Sequence, residues 1–254
     1  MISIVMPFYS RYELVHKRLQ EFWQYIPREN LEIIVINDAS PGDRDYEGNI
    51  AWWQKQVDNP HKIRYHANSK NLGFGEAMNM GAKHANGERF VFFSNDVIIS
   101  GDFITQINQK FEQNSRMLLG GERIDYPAGW NEFELGDGRN IYITYCNGWL
   151  LSCDKSAWEE SGGFDPIYKP FDYEDVDVST RFSEMGYNLE ALNSRYLHHM
   201  GGATIYSLGL DRSKYTKEHR ELYIDKWKGK LEIIYQLQQE QRHAITEHST
   251  TQGI

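Results

Sequence analysis

The densest concentration of reactive side chains lies late in the chain, in Gly162-Gly-Phe-Asp-Pro-Ile-Tyr-Lys-Pro-Phe-Asp-Tyr-Glu-Asp-Val-Asp177. Five carboxylates (Asp165, Asp172, Glu174, Asp175 and Asp177) fall within thirteen residues there, against one lysine. Crowded like charges raise one another's pKa, a cost that a cation, a proton-transfer role or a helix cap would offset. A helix starting at Val176 would put Glu174 and Asp175 at its N-terminus. There the peptide dipole favours the carboxylate, the form a general base requires. Phe164, Tyr168, Phe171 and Tyr173 interleave with these charges, more rings than a solvated acidic cap needs.

Two further acids stand where apolar runs end. Asp38 follows residues 33–36 and Asp96 follows residues 88–93. In open α/β sheets ligands bind outside the carboxyl ends of the strands, so such acids suit a ribose or base contact and a hard cation. A turn-forming Asp explains either one equally well. His198-His199 follows another strand-like stretch, and one of the two imidazoles at a strand end near carboxylates would complete a divalent site. The glycine-punctuated segment Asn71-Leu-Gly-Phe-Gly-Glu-Ala-Met-Asn-Met-Gly81 lacks the third glycine of a dinucleotide fingerprint and does not follow the first strand. It still enters a helix where a phosphate would be welcome. No Ser/His/Asp nucleophile set, Walker loop or zinc spacing is present.

The elements that must position these residues alternate. Residues 3–6 read as a buried strand stopped by Pro7. Ser10 and Glu13 have capping-box spacing, and Val15, Leu19, Phe22 and Ile26 form one apolar helical stripe closed by Pro27. Residues 31–36 read as a strand, 45–58 as a helix, 62–66 as a strand, 75–85 as a helix and 88–93 as a fourth strand, an α/β order. Beyond residue 100, helices are expected at 103–114, 155–161, 176–185 and 213–241, the last broken at Gly229 and fraying along its Gln-rich end. Strands are expected at 141–145, 148–152, 189–193 and 193–197, with a glycine-rich loop over 120–138.

The chain has 254 residues, a formal charge of −9 and 14% aromatics, which exclude a disordered chain and disfavour a polyanion as main partner. Apolar runs stop at about four residues, short of the ~20 a spanning helix needs. Cys146 and Cys153 make neither a metal pair nor a disulfide framework. The composition reads as cytoplasmic, with peripheral contact at a membrane left open. Residues 222–237, with Trp227, Ile233 and Ile234, read as a core lid or a homodimer helix.

Taken together, six segments over residues 1–230 resemble the inverting GT-A glycosyltransferases of family 2. Ser3-Ile-Val-Met-Pro-Phe-Tyr-Ser-Arg11 is similar to the family's opening strand, and Ile33-Ile-Val-Ile-Asn-Asp-Ala-Ser40 to its second strand with a nucleotide-contacting Asp at Asp38. The Asn71 to Gly81 segment matches N-x-G-x-x-x-A-x-N-x-G. Ser94-Asn95-Asp96 stands at the family's D-x-D position. Gly163-Phe-Asp165 with Tyr173-Glu-Asp-Val-Asp177 and Arg181 resembles its G-F-D…E-D-V-D-L-x-x-R block, and His199-Met-Gly-Gly-Ala-Thr204 its closing H-x-x-G-x-S.

The resemblance implies a mixed, mostly parallel α/β sheet flanked by helices, in one domain over 1–230. Residues 1–100 would form the nucleotide-sugar half and 101–212 the acceptor half, with a helical tail over 213–254. It implies transfer of a sugar, with inversion, from a UDP-, TDP- or GDP-linked donor to an acceptor hydroxyl. Asp175 would be the base beside Glu174, and Asp96 with His199 would hold Mn²⁺ or Mg²⁺. Pro7, Phe8, Tyr9, Asp38, Asn71, Gly73, Asn79, Asn95, Asp96, Gly148 and Trp149 would line the donor. The acceptor would be a glycan or lipid-linked glycan, or less readily a protein or modified nucleobase. Three departures stand out: one carboxylate at Ser94-Asn95-Asp96, Phe8 where Thr is common, and Ser10 where Asn is common. A nucleotide-sugar-binding protein of the same fold without transferase activity is the alternative reading.

Overall fold

A computed structural model describes residues 1–27, 29–42, 45–55, 62–202, 205–206 and 208–251. The first half alternates as the apolar periodicity requires: β1 (Ile2–Phe8), α1 (Tyr12–Tyr25), β2 (Leu31–Asn37), α2 (Tyr46–Gln54), β3 (Lys62–Ala67), α3 (Phe74–His84) and β4 (Arg89–Phe93). Every residue of β1 and β2 is buried, as parallel strands covered on both faces must be. The α1 stripe Val15, Leu19, Phe22 and Ile26 packs into the same core. Residues 56–58 of the expected second helix lie outside the described residues.

The second half continues as β5 (Val97–Ile99), α4 (Ile104–Gln113), β6 (Met117–Gly120), β7 (Arg123–Ile124), β8 (Glu132–Glu134), β9 (Asn140–Tyr142), β10 (Tyr145–Cys146) and β11 (Leu150–Asp154). Then follow α5 (Lys155–Ser161), α6 (Glu174–Glu184), β12 (Asn188–Ala191), β13 (Leu197–His199), α7 (Arg212–Trp227) and α8 (Leu231–Thr251). The main sheet has the order β12-β6-β11-β4-β1-β2-β3. Its neighbours pair in parallel except β11, which runs antiparallel to both β4 and β6. This is the GT-A-like α/β fold. Among the described residues no helix is long and apolar enough to cross a membrane.

Several local expectations are corrected. Pro7 does not stop β1, which runs to Phe8. The β1–β4 ladder ends at Val5, and the Phe8 carbonyl accepts from the Asp38 amide on the β2 side. Pro7 therefore faces the side where no ladder asks for its missing N–H. The capping box does not form. Ser10 sits at φ 64° with its amide donating to Ser40 Oγ at 2.9 Å, and Arg11 is the N-cap. Residues 117–120, a strand of the main sheet, carried no recognised strand signal in four residues of Met, Leu and Gly. The expected strand at 141–145 divides into β9 and β10, and residues 148–149 precede β11 rather than belonging to it. Residues 193–196 also precede their strand, β13.

The Gln-rich end does not fray, because Gln238 is 2% exposed and knitted into the core. Its Nε2 donates to the Thr144 carbonyl at 2.9 Å and its Oε1 accepts from the Thr144 amide at 2.8 Å. Tyr223, Trp227, Leu231 and Ile234 join a third apolar cluster with Phe133, Ile141, Tyr168 and Val176, whereas Leu222 and Ile233 remain exposed. The tail helices thus complete the core under α6. Replacing Gln238 by Ala strands both Thr144 backbone groups, and urea unfolding should report a loss of about 2–3 kcal/mol.

Candidate active site

A cavity of about 550 Å³ opens over the carboxyl ends of β1, β2 and β4. One wall comes from the three parallel strand ends. Pro7 and Phe8 end β1 there and Tyr9 follows them, Asp38 follows β2, and Ser94, Asn95 and Asp96 follow β4. Asp38 is 3% exposed, and its carboxylate organises the next loop. Oδ1 accepts from Asn68 Nδ2 at 2.8 Å and the Leu72 amide at 2.9 Å, and Oδ2 accepts from the Gly73 amide at 2.9 Å. Asn71 and Gly73 are thereby set into the lining. A Cβ at Gly73 (φ +87°) would come within 2.9 Å of the Pro170 carbonyl oxygen, so the close approach requires glycine.

The pairing of β5 with β13 supplies the imidazole. His199 stands opposite Val97, and the Met200 amide donates to the Asp96 carbonyl at 3.0 Å. His199 Nε2 consequently lies 3.3 Å from Asp96 Oδ1, which also accepts from Ser94 Oγ at 2.6 Å. The His199 ring is stacked on Trp149 with centroids 5.5 Å apart and planes at 20°. A carboxylate and an imidazole side by side are a suitable donor pair for Mn²⁺ or Mg²⁺. Among the described residues no third His, Cys, Asp or Glu joins them, so the donor set fits a cation whose other ligands are water and phosphate oxygens. Asn95 adds a buried Nδ2 that meets no acceptor among the described residues.

A second wall is the start of α6. Asp172 and Tyr173 both adopt left-handed conformations, at φ 72° and 74°. Non-glycine residues rarely adopt this conformation, and here it swings the chain so that Glu174 and Asp175 open the helix facing the cavity. Arg212 braces the turn by a two-pronged ion pair to Asp172, with Nη2 to Oδ1 at 2.6 Å and Nε to Oδ2 at 3.0 Å. Asp175 accepts from the Gly148 amide at 2.9 Å and from the Val176 amide at 2.8 Å. Withdrawal from solvent pushes its pKa up to about 6, against those two amides, which pull it down. Glu174, 6% exposed, is driven well above the usual carboxylate range by burial first and then by Asp175 and Asp172. Its Oε2 has no partner among the described residues.

A profile described as "Glycosyl transferase family 2" matches residues 3–177, from the first strand through the acidic helix start. The chain belongs to glycosyl transferase family 2. An uncharacterised glycosyltransferase of Rickettsia felis is 32% identical over 129 residues, which span 49% of this chain and 20% of that one. Among solved structures, a mannosyltransferase from Pyrobaculum calidifontis in complex with GDP-Man and Mn²⁺ aligns with a TM-score of 0.58 and 18% identity. The alignment covers 75% of this chain and 54% of that one. TarS 1-349 of S. aureus, in complex with UDP-GlcNAc, aligns at 0.55 and 17% identity over 80% of this chain and 61% of that one. The family 2 chain thus spans about half the length of the mannosyltransferase and a fifth of the Rickettsia relative.

Of the residues expected to act as base, line the donor or hold the metal in this family 2 chain, the cavity gathers all but Asn79; Asp165, Asp177 and His198 also lie outside its lining. Asn79 is spent elsewhere, its amide accepting from Phe164 N at 2.9 Å and donating to Phe164 O at 2.7 Å, away from the lining. Phe8 reaches the wall but lodges its ring between Tyr12 and Tyr46. Ala203 and Thr204 of the last motif lie outside the described residues. The sequence reading missed Asn147, Arg212, Leu208 and Leu210, all lining residues. Asn147 adjoins Gly148 and was within reach of that argument. The other three follow the last motif at no spacing that points to a site.

The Glu174 environment sets a sign for stability. Its folded-state pKa lies above the unfolded value of about 4.3, so its contribution to stability is full below that pH and lost as pH rises through the folded value. At pH 8 this raised pKa therefore opposes folding. Glu174→Gln should raise Tm at pH 8, and the gain should vanish near pH 4; scanning calorimetry at both pH values checks this.

Proposed function

We propose that the protein transfers a sugar from a nucleoside-diphosphate donor to an acceptor hydroxyl with inversion, and that Asp175 is the base. The observation that carries this reading is the Asp175 carboxylate, held by two backbone amides in the cavity that Asp96 and His199 also line. The nucleoside would lie against Pro7, Tyr9, Asp38 and Asn71, the crevice at the strand ends where such ligands bind in α/β sheets. Relatives of the same fold hold GDP-Man or UDP-GlcNAc, which supports a GDP- or UDP-linked donor.

In the reaction Asp175 takes the proton of the acceptor hydroxyl as its oxygen attacks the anomeric carbon. The bond from that carbon to the diphosphate breaks on the opposite face, and its electron pair leaves with the diphosphate. Asp96 and His199 would hold a divalent cation, which would supply Lewis-acid neutralisation of the charge developing on the leaving group. Asn95 Nδ2, buried without an acceptor, is ready to donate to a donor oxygen. Glu174, whose burial favours the neutral carboxyl, is placed to donate through it to an acceptor or sugar hydroxyl.

A base whose pKa is about 6 in the substrate-free protein imposes a pH limb. Between pH 5 and 8, kcat/KM should rise with an apparent pKa of about 6 and level off above it. Asp175→Asn should keep donor affinity, read by calorimetry with UDP- and GDP-sugars, while turnover falls by about 10²–10⁴. Turnover near the unaltered rate would refute the base assignment. Donor binding by both proteins with turnover by neither, across acceptors, would favour the binding-protein alternative. His199→Ala should weaken Mn²⁺-dependent nucleotide binding by about tenfold or more, with little change in the presence of EDTA.

A further inference from the structure

The strand that leads away from Asp96 has an open edge. β5 begins at the next residue and, among the described residues, pairs with β13 alone in a sheet of two strands. So short a ribbon is marginal by itself. Its backbone alternates as a strand must. The Asp96 carbonyl accepts from the Met200 amide at 3.0 Å, and the Ser100 amide donates to the Tyr196 carbonyl at 2.8 Å. Val97 and Ile99 therefore turn their backbone groups the other way, toward α1. The two residues are 0% and 2% exposed, so those groups need partners within the protein.

Two side chains of α1 meet them. Arg18 Nη1 donates to the Val97 carbonyl at 2.9 Å, and the Ile99 amide donates to Glu21 Oε2 at 2.8 Å. The pair is also joined within itself, since Arg18 Nη2 donates to Glu21 Oε1 at 2.5 Å. Residues three apart lie on one side of a helix, so the pair presents a donor and an acceptor together, as the edge of a strand would. The Arg18 side chain is 2% exposed, and its planar fork serves a carbonyl and a carboxylate at once. Phe22, the next residue of α1, packs on Phe93 with ring centroids 5.4 Å apart. The same helix thus also holds the end of β4 from which Ser94, Asn95 and Asp96 continue.

We propose that Arg18 and Glu21 are positioning residues for Asp96 and His199, taking the place of a third strand on the open edge of β5 and holding it in register with β13. The inference rests on the reading of Asp96 and His199 as the holders of a divalent cation. Val97, whose carbonyl Arg18 takes, stands opposite His199 and follows Asp96 directly. That opposition is what leaves 3.3 Å between His199 Nε2 and Asp96 Oδ1, and a slip of one residue would end it. Neither α1 residue lines the cavity, so both act through the backbone of β5 rather than on a ligand.

The test uses the full chain. Arg18→Met keeps an unbranched stem in the buried space and leaves Glu21, 21% exposed, within reach of water. Amide hydrogen exchange is followed by NMR, and Mn²⁺ alone is titrated by its broadening of the His199 imidazole resonance. UDP and GDP binding is measured by calorimetry with Mn²⁺ and with EDTA. In Arg18→Met the Ile99 and Met200 amides should exchange about tenfold faster or more. Mn²⁺ affinity should fall about tenfold, and nucleotide affinity should fall with Mn²⁺ but hold in EDTA. Arg18→Lys should recover part of each loss. Gln238→Ala, destabilised at a different place, should bind Mn²⁺ and nucleotide as the unaltered protein does. If Arg18→Met fails to fold by circular dichroism, Glu21→Ala carries the same expectations. Mn²⁺ affinity unchanged in a folded variant, whatever the exchange rates, overturns the proposal, as does an equal loss in Gln238→Ala. Absence of Mn²⁺ binding by the unaltered protein overturns it together with the cation assignment, while nucleotide binding in EDTA would leave the donor reading standing. Mn²⁺ binding that depends on Arg18 without any nucleotide binding would uphold the positioning role and sink the donor reading.

Discussion

Two adjacent carboxylates withheld from water at the first turn of α6 are the constraint around which the rest of the site is arranged. Ionised together in that setting they would repel each other and lack hydration, so their environments must differ for both to be kept. Asp175 receives two backbone amides, which hold its pKa to about 6 against burial, whereas Glu174 receives none at Oε2. The two carboxyls thus differ in how readily each gives up its proton. This division recurs wherever two titratable groups share a site but perform opposite tasks. The helix N-terminus helps both, yet the asymmetry comes from the Gly148 amide, which reaches only Asp175. A Cβ at Gly148 would lie 3.1 Å from the Asp175 Cβ, so glycine is what allows that amide to come so close.

The cost of the arrangement is visible around it. Asp172 and Tyr173 occupy left-handed backbone, and a dense set of contacts holds them there. Arg212 and Thr216 both bond the Asp172 carboxylate, and His219 Nδ1 lies 2.9 Å from the Phe171 carbonyl and 3.0 Å from that of Asp172. Arg212, Thr216 and His219 all belong to α7. Asp177, one turn into α6, is met by Arg181, Lys226 and the Trp227 indole at 2.9 Å each. A strained turn of this kind persists only when its surroundings over-determine it. The tail helices therefore serve the site as well as the core, since they brace the turn that presents the carboxylates.

Much of the first half was legible because its strands are fully buried and its helices carry a single apolar stripe. Val15, Leu19, Phe22 and Ile26 declare their face by spacing alone, and the same holds for residues 31–36. The acids at 38, 96 and 175 could be found because strand ends and helix starts are readable. What could not be read depends on contacts distant in sequence. Asn79 has the same chemistry as Asn71, and only the approach of Phe164, 85 residues away, takes it out of the site. The Gln-rich end of α8 has a polar composition that suggests fraying, until Thr144 offers an unpaired backbone amide and carbonyl to Gln238. Residues 117–120 are too few to show a period, and their partners β11 and β12 lie far along the chain.

The reversed strand explains how one cavity comes to have two chemically different walls. Parallel strands deliver only their carboxyl ends to the crevice, so β1, β2 and β4 can supply one wall and nothing that enters from the other direction. β11 runs against β4, with Leu150 opposite Phe93 and Asp154 opposite Arg89. Its amino end therefore arrives where β4 finishes. Gly148 and Trp149 immediately precede that end, which places the Gly148 amide at Asp175 and the Trp149 ring on His199. The Trp149 carbonyl accepts from the Ser94 amide at 2.9 Å, fastening this segment to the one that bears Asp96. Gly121, from the turn after β6, leaves the space that the Trp149 ring fills; a Cβ there would overlap it at 2.1 Å. A single antiparallel strand thus joins Asp175, His199 and Asp96. Moving it by one residue along β4 would separate all three, so the register of β11 matters to the site as much as the identity of any side chain in it.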